Sequence, residues 1–203
     1  MFPIVLNLSS KLVVVIGGGT VGARKAAASL ASGAVVRVVD PRVALALPPE
    51  VVHLSASYQA DHLDGAALVF ACATSEVNAQ VVSDAHTRGI WVNAATSPGE
   101  GDFTLPAVVR RGELTLAVST GGASPALARK IREKLEAEYD EAFAEWVALL
   151  AEVRAEVLAT VPDEARRREL LDGFADWVWL ARLRAEGADK VREAMRTVGL
   201  VRK

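Results

Sequence analysis

The sequence predicts an α/β fold: a Rossmann-type parallel sheet followed by a small α+β region and a C-terminal helical module. Three observations predict it. Short β-branched runs alternate with helical stretches from residue 12 into the nineties. The apolar run Val13-Val14-Val15-Ile16 passes straight into Gly17-Gly18-Gly19-Thr20-Val21-Gly22 and a helical stretch behind it. Beyond Glu136 the strand signals stop, and apolar residues recur at three- and four-residue spacing.

The first strand runs from Leu12 to Ile16, and the G-x-G-x-x-G turn joins it to a helix over Val21 to Ser32. Each glycine has its own physical task. Gly17 allows the tight turn, Gly19 lets backbone N–H groups approach a pyrophosphate, and Gly22 lets the helix pack closely on the strand. The helix N-terminus adds partial positive charge. The second strand, Val35 to Val39, ends in Asp40, close to the spacing at which an acidic side chain accepts from an adenosine ribose hydroxyl. A carboxylate there repels a ribose phosphate and favours NAD over NADP, with Arg42 just beyond softening the discrimination. The structural alternative is a Gly-rich turn of some other α/β protein, with Asp40 a solvated strand cap.

Further strands are expected at Val51 to Leu54, Ala67 to Ala71 and Ile90 to Asn93, with a helix near Val77 to Thr87. Strands interleaved with helices imply right-handed crossovers and a parallel sheet, which binds its ligand outside the carboxyl ends of its strands. Those ends carry Gly17 to Gly19, Asp40, Ala73-Thr74-Ser75 and Asn93-Ala94-Ala95-Thr96. Thr74 and Asn93 are placed to hydrogen-bond the nicotinamide or ribose; capping the next helix is their alternative role.

After Pro98 the pattern changes. Phe103 to Pro106 and Glu113 to Val118 read as strands, with short helical content over Ala107 to Arg111. Ser124 suits an N-cap and Pro125 the first position of a long helix. Phe143, Trp146, Val147, Leu150, Val153 and Val157 then mark an amphipathic helix, Pro162-Asp163-Glu164 restarts another, and Gly187 breaks it. The expected division is 1–101, 102–140 and 141–203. Trp146, Trp177 and Trp179 read as core aromatics, and Arg166-Arg167-Arg168, flanked by Glu164 and Glu169, as a solvated cluster.

Composition bounds the function. With 203 residues, 51% of them hydrophobic, the chain can bury a sizeable core. A net charge of −2 provides no basic field for nucleic acid or anionic membrane, and no stretch is long enough to span a bilayer. Cys72, the one cysteine, sits in an apolar run as a buried thiol, so neither a disulfide nor a zinc framework forms within one chain. A reduced, cytoplasmic setting is expected. His53, His62 and His86 are isolated from carboxylates at ligand spacing, and no metal site is expected.

Ser119-Thr120-Gly121-Gly122-Ala123-Ser124-Pro125-Ala126-Leu127-Ala128-Arg129, following a G-x-G-x-x-G fold with Arg24-Lys25 behind it, resembles the precorrin-2 dehydrogenase/sirohydrochlorin ferrochelatase family, the N-terminal module of siroheme synthase. The resemblance runs from Pro3-Ile4 to about Glu136 and more loosely through the helical tail. It implies NAD-dependent oxidation of precorrin-2 to sirohydrochlorin, with Fe2+ insertion in members that carry both activities. It also implies a homodimer, with residues 102–140 as the dimerisation and substrate region. Gly17, Gly19, Thr20, Val21, Gly22, Asp40, Pro41 and Arg42 match the family's nucleotide contacts. A substrate with eight carboxylates calls for local cations, for which Arg110, Arg111, Arg129, Lys130, Arg132 and Lys134 are candidates, some of them balancing Glu133, Glu136 and Glu138 instead. Ser119, Thr120, Gly121 and Ser124 offer a loop for substrate carboxylates, with a simple turn as the alternative.

One departure from the family pattern bears on the chemistry. In N-x-x-D-x-P followed by F-x-x-P, the family aspartate serves as acid/base; here the stretch reads Asn93-Ala94-Ala95-Thr96-Ser97-Pro98, and Thr96 stands at the aspartate position. A threonine does not accept a proton usefully near neutral pH. Asp102 in the same loop is the expected substitute, with Glu100, a substrate carboxylate or a water as alternatives. Two rival classes share these features: an NAD-sensing domain, which would not need the Ser119 to Arg129 motif, and a family member that binds tetrapyrrole or NAD without catalysis.

Overall fold

Leu12–Ile16 (β1) forms the middle of a five-stranded sheet because every residue in it is apolar and can be covered on both faces. The computed structural model describes residues 1–42 and 47–200. They fall into two compact units, Met1–Leu105 and a second from Pro106 onward, so that residues 106–140 and the helical tail belong to one unit.

In the first unit, β2 (Val35–Val39), β3 (Val52–Leu54), β4 (Ala66–Ala71) and β5 (Trp91–Ala94) join β1 in the order β3-β2-β1-β4-β5, all neighbours parallel. Alternation along β1 sends Val13 and Val15 to one core, with Ala26 of α1 (Thr20–Leu30). Val14 and Ile16 go to the other core, with Val81, Val82 and Ala85 of α2 (Ser75–Thr87). The chain leaves β1 toward β2 and later returns on the opposite side to form β4. The carboxyl ends of β1 and β4 therefore flank the point where strand order reverses, the usual ligand position in such sheets.

Residues 103–106 are not a strand: Phe103 instead anchors the segment by packing edge-on against Phe70 of β4, with ring centroids 5.7 Å apart. Ala107–Arg111, expected to be helical, is a strand (β6) paired antiparallel with β7 (Leu114–Val118). The missed signal is Gly112-Glu113, two turn residues between β-branched runs, with Gly112 at φ +54°.

The second unit continues through α3 (Pro125–Glu138), α4 (Ala142–Thr160), α5 (Glu164–Phe174), α6 (Trp177–Glu186) and α7 (Ala188–Leu200). Ser124 caps α3 by accepting the Leu127 N–H at 3.2 Å, Asp163 caps α5, and Gly187 at φ +85° ends α6. Phe143, Trp146, Leu149, Phe174, Trp179 and Leu183 share one core. Trp177 corrects the expectation: it is 62% exposed, its ring resting on Phe143 and Trp146 rather than among them. Arg166 and Arg168 pair with Glu169 and Glu164, as a solvated cluster should. Among the described residues no helix is long and apolar enough to cross a membrane.

Candidate active site

Three glycines shape the end of β1, each for a different measurable reason. Gly17 sits at φ +100°, its N–H donates to Val39 O at 2.8 Å, and a Cβ there would lie 2.5 Å from Cys72 O. A Cβ on Gly22 would lie 1.8 Å from Gly17 O, so α1 approaches the turn as only glycine permits. Gly19 has the opposite property: a Cβ would meet nothing within 4 Å, which leaves open space in front of the first turn of α1. That turn has no side-chain cap and no acidic residue, and Thr20 and Val21 are exposed on it. Its N–H groups are therefore available to an anion, and the residues fit a dinucleotide pyrophosphate.

Asp40 directly follows β2 and is 5% exposed. Its Oδ2 accepts the Gly18 N–H at 2.7 Å and its Oδ1 the Arg42 N–H at 2.9 Å, so one carboxylate ties the Gly-rich turn to the loop through Pro41 and Arg42. Burial alone would raise its pKa. The Arg42 and Gly18 N–H groups, with the charges of Arg42 and His53, outweigh burial and hold the carboxyl below its ordinary value. His53 Nε2 lies 3.2 Å from Asp40 O.

At the carboxyl ends of β4 and β5 the organising side chain is Asn78, which sequence reasoning missed. Its Oδ1 accepts the Ala73 N–H at 2.9 Å, and its Nδ2 donates to Ala73 O at 3.2 Å and to Thr96 Oγ1 at 3.1 Å. The residue that stands at the family's aspartate position is thus held against the loop after β4. Thr74 caps α2 by accepting the Val77 N–H at 3.5 Å. Asn93 spends its amide on Phe103 O at 2.8 Å, fastening the loop that follows β5. Asp102 lies along the edge strand: its Oδ2 accepts the Val92 N–H at 2.9 Å, its own N–H donates to Val92 O at 2.8 Å, and its Oδ1 is 3.3 Å from His86 Nε2.

On the α1 side of the sheet, Lys25 lies over Phe70 with its Nζ 5.4 Å from the ring centroid. Burial pulls its ammonium below the ordinary value, and burial pushes the thiol of Cys72 up. Cys72 is half-buried rather than buried, because it lies past the end of β4 where the sheet opens.

In the second unit, the loop before α3 satisfies itself. Ser119 Oγ accepts the Gly121 N–H at 3.2 Å and Thr120 Oγ1 the Ser124 N–H at 3.1 Å, with Gly121 and Gly122 both at positive φ. Arg129 pairs with Glu133 at 3.9 Å, and Arg132 with Glu136 and Glu133. Arg111 is committed to Glu141 and to the Arg110 and Glu136 carbonyls. Among the described residues no group of three or more His, Cys, Asp or Glu side chains gathers to hold a metal ion.

A family model for NAD(P)-binding domains matches residues 4–107, and a model for the central region of sirohaem biosynthesis proteins matches residues 111–138. Siroheme synthase of Pseudomonas fluorescens (strain SBW25) is 39% identical over 173 residues, covering 82% of this chain and 37% of that protein. Siroheme synthase of Pseudomonas entomophila (strain L48) is 37% identical over 197 residues, covering 94% and 42%. The chain thus spans well under half the length of these curated relatives. Among solved structures, SirC, a precorrin-2 dehydrogenase, superposes with a TM-score of 0.74 at 25% identity, covering 96% of this chain and 98% of that one. The chain belongs to the NAD(P)-binding family, in the precorrin-2 dehydrogenase and siroheme synthase group that its motifs resemble.

Proposed function

We propose that this chain oxidises precorrin-2 to sirohydrochlorin with NAD as oxidant, in siroheme biosynthesis. The observation that carries the reading is the nucleotide cradle of Gly17, Gly19, Gly22 and Asp40 in a chain that matches a precorrin-2 dehydrogenase over nearly its full length. NAD, when bound, supplies the hydride acceptor. The turn from Gly17 to Gly22, with Thr20 and Val21, holds its pyrophosphate, and Asp40, Pro41 and Arg42 hold the adenosine ribose. Thr74 and Asn93 border the nicotinamide end. Ser119, Thr120, Gly121 and Ser124 receive substrate carboxylates, as do Arg129 and Arg132 on leaving their exposed partners, a small cost for surface ion pairs.

The oxidation sends one hydride to the nicotinamide and one proton to a base. Thr96 cannot take that proton. It goes to a carboxylate of the substrate, or to Asp102 once that side chain leaves the Val92 N–H and His86, which hold it along the edge strand and away from the strand ends. The assay is anaerobic incubation of the full chain with precorrin-2 and NAD, following sirohydrochlorin absorbance. NAD-dependent turnover is expected, and its absence in the native chain overturns the reading. Loss of turnover in Asp102→Asn assigns the proton to Asp102; retained turnover assigns it to the substrate. Thr96→Asp raises kcat, by as much as about 100-fold if a general base is restored. Turnover confined to Thr96→Asp identifies a binding protein on a silenced enzyme.

A homodimer and a cytoplasmic setting go with this reading. Helix α3 buries only Ala128 and leaves Leu127 and Ile131 exposed four residues apart, a stripe that a second copy would cover. Sedimentation velocity is expected to give twice the monomer mass, and a monomer at micromolar concentration would exclude the dimer. Iron insertion, with Fe2+ as a second substrate, is assayed on the sirohydrochlorin formed.

A further inference from the structure

We propose that Lys25 seats one carboxylate of the tetrapyrrole substrate at the crevice beside the carboxyl end of β4; the inference rests on the tetrapyrrole reading under Proposed function and deepens it. Arg129 and Arg132 belong to the second unit, whereas Lys25 is a cation of the first. It lies on α1, and its Nζ stands 5.4 Å from the ring centroid of Phe70. Phe70 is the last residue but one of β4, in register with Val15 of β1 and Asn93 of β5, and Cys72 follows directly on that strand. The ammonium is therefore level with the strand ends that flank the reversal of strand order, where such sheets bind their ligands. Side chains on a helix lean toward its N-terminus, and α1 begins at that same crevice, so the lysine stem carries its charge toward the opening.

The charge there is half-buried and not neutralised. The groups whose charges bear on it are the Cys72 thiol, which burial pushes toward its neutral form, and Arg24, a second cation. The Phe70 ring attracts an ammonium through its face but cancels none of the charge. Burial accordingly pulls the ammonium below its ordinary value. An ammonium so placed gains more from an arriving carboxylate than a fully solvated lysine does, because less water competes for its three N–H groups. The dinucleotide does not claim it. The pyrophosphate is met by the first turn of α1, while Lys25 lies on the second turn and packs over β4. That leaves the polycarboxylate as the anion it suits.

The test is anaerobic equilibrium titration of the full chain with sirohydrochlorin, and separately with NADH, in the native form and in Lys25→Met and Lys25→Arg. Methionine keeps an apolar stem on Phe70 and removes only the charge, so the native fold is retained and thermal shift checks it. Lys25→Met is expected to bind sirohydrochlorin about tenfold or more weaker than the native chain, as loss of a charged hydrogen bond should. Lys25→Arg keeps the cation and is expected to stay within about threefold of native. NADH affinity is expected within about twofold of native in both variants. Sirohydrochlorin binding unmoved by Lys25→Met overturns the inference and leaves the tetrapyrrole reading standing. An equal loss of NADH affinity overturns it too, by placing Lys25 on the nucleotide, as does Lys25→Arg binding as weakly as Lys25→Met. A native chain that binds no sirohydrochlorin overturns the tetrapyrrole reading itself and the inference with it.

Discussion

Asn78 is 2% exposed on a helix that otherwise presents Val81, Val82 and Ala85 to the sheet, and its one amide serves Ala73 twice and Thr96 once. Asn78→Leu keeps the branching at Cγ but leaves those groups facing a methyl, at about 1–3 kcal/mol for a buried group left unpaired. The expected result is a Tm lower by roughly 3–10 °C with weaker NADH binding, read by thermal shift and fluorescence titration. An unchanged Tm would show that water replaces the amide. Asp40 admits a sharper test because its acid form is disfavoured in the folded chain. A carboxyl held below its ordinary value stabilises above about pH 4 and loses that contribution as pH falls through the lowered value. Asp40→Asn is therefore expected to cost about 1–3 kcal/mol at pH 7, and the gap to the native chain should close as the pH falls below the ordinary carboxylate range in urea unfolding. A pH-independent gap would mean that the carboxylate's charge plays no part. The place of Asp40 just after β2 was legible in the sequence because it follows from spacing along one strand-turn-helix unit, whereas its bonds to the Gly18 and Arg42 N–H groups were not. Asn78 was not, because its partners lie on two loops that only the folded sheet brings together; the available signal was a lone amide within an apolar stripe.

At the scale of elements, the Gly-rich turn separates two kinds of glycine that sequence alone treats alike. Gly22 is required by packing, since a Cβ there would lie 1.8 Å from Gly17 O. Gly19 is required by neither packing nor backbone conformation, because its φ of −66° suits any residue and the space beyond it is open, which leaves the proposed pyrophosphate as its reason. Gly19→Ala is expected to stabilise the nucleotide-free chain by about 0.4–1 kcal/mol through the unfolded state while weakening nucleotide binding about tenfold or more. Gly22→Ala should lose both stability and binding. If Gly19→Ala bound NADH as tightly as the native chain, the pyrophosphate would lie elsewhere. The β1-turn-α1 unit was legible because strand, turn and helix are contiguous. The β6–β7 hairpin was misread at its first strand because Ala107 to Arg111 has helix formers at both ends, and pairing with Leu114 to Val118 overrides that preference. Asp102 was found as a residue but not as an edge cap, since its partner Val92 is set by the loop's path rather than by composition.

Over the whole molecule, the chain builds separate cores for separate tasks. The sheet of the first unit buries valines and alanines on both faces, and its candidate nucleotide residues sit at strand ends. The second unit builds its core from larger side chains, Phe143, Trp146, Phe174 and Trp179, contributed by α4, α5 and α6, and the restart of the chain as α5 at Pro162-Asp163-Glu164 was readable in advance. The boundary after Leu105 was harder to read, because the segment before it has no regular structure and is held by Phe103 on Phe70 rather than by a linker composition. A unit with its own core responds to damage within it. Phe174 is fully buried, and its ring stands edge-on to Trp179 at 5.8 Å. Phe174→Ala removes a core ring at about 3–5 kcal/mol. The expected outcome in the full chain is a new unfolding transition at lower temperature that reports tryptophan fluorescence from Trp146 and Trp179, while NADH titration at a temperature below that transition gives an affinity close to native. The proposed nucleotide cradle is made of Gly17, Gly19, Gly22 and Asp40, none of which depends on the helical core for the hydrogen bonds given above. A parallel loss of nucleotide affinity in Phe174→Ala would instead mean that the helical core sets the geometry of the turn after β1.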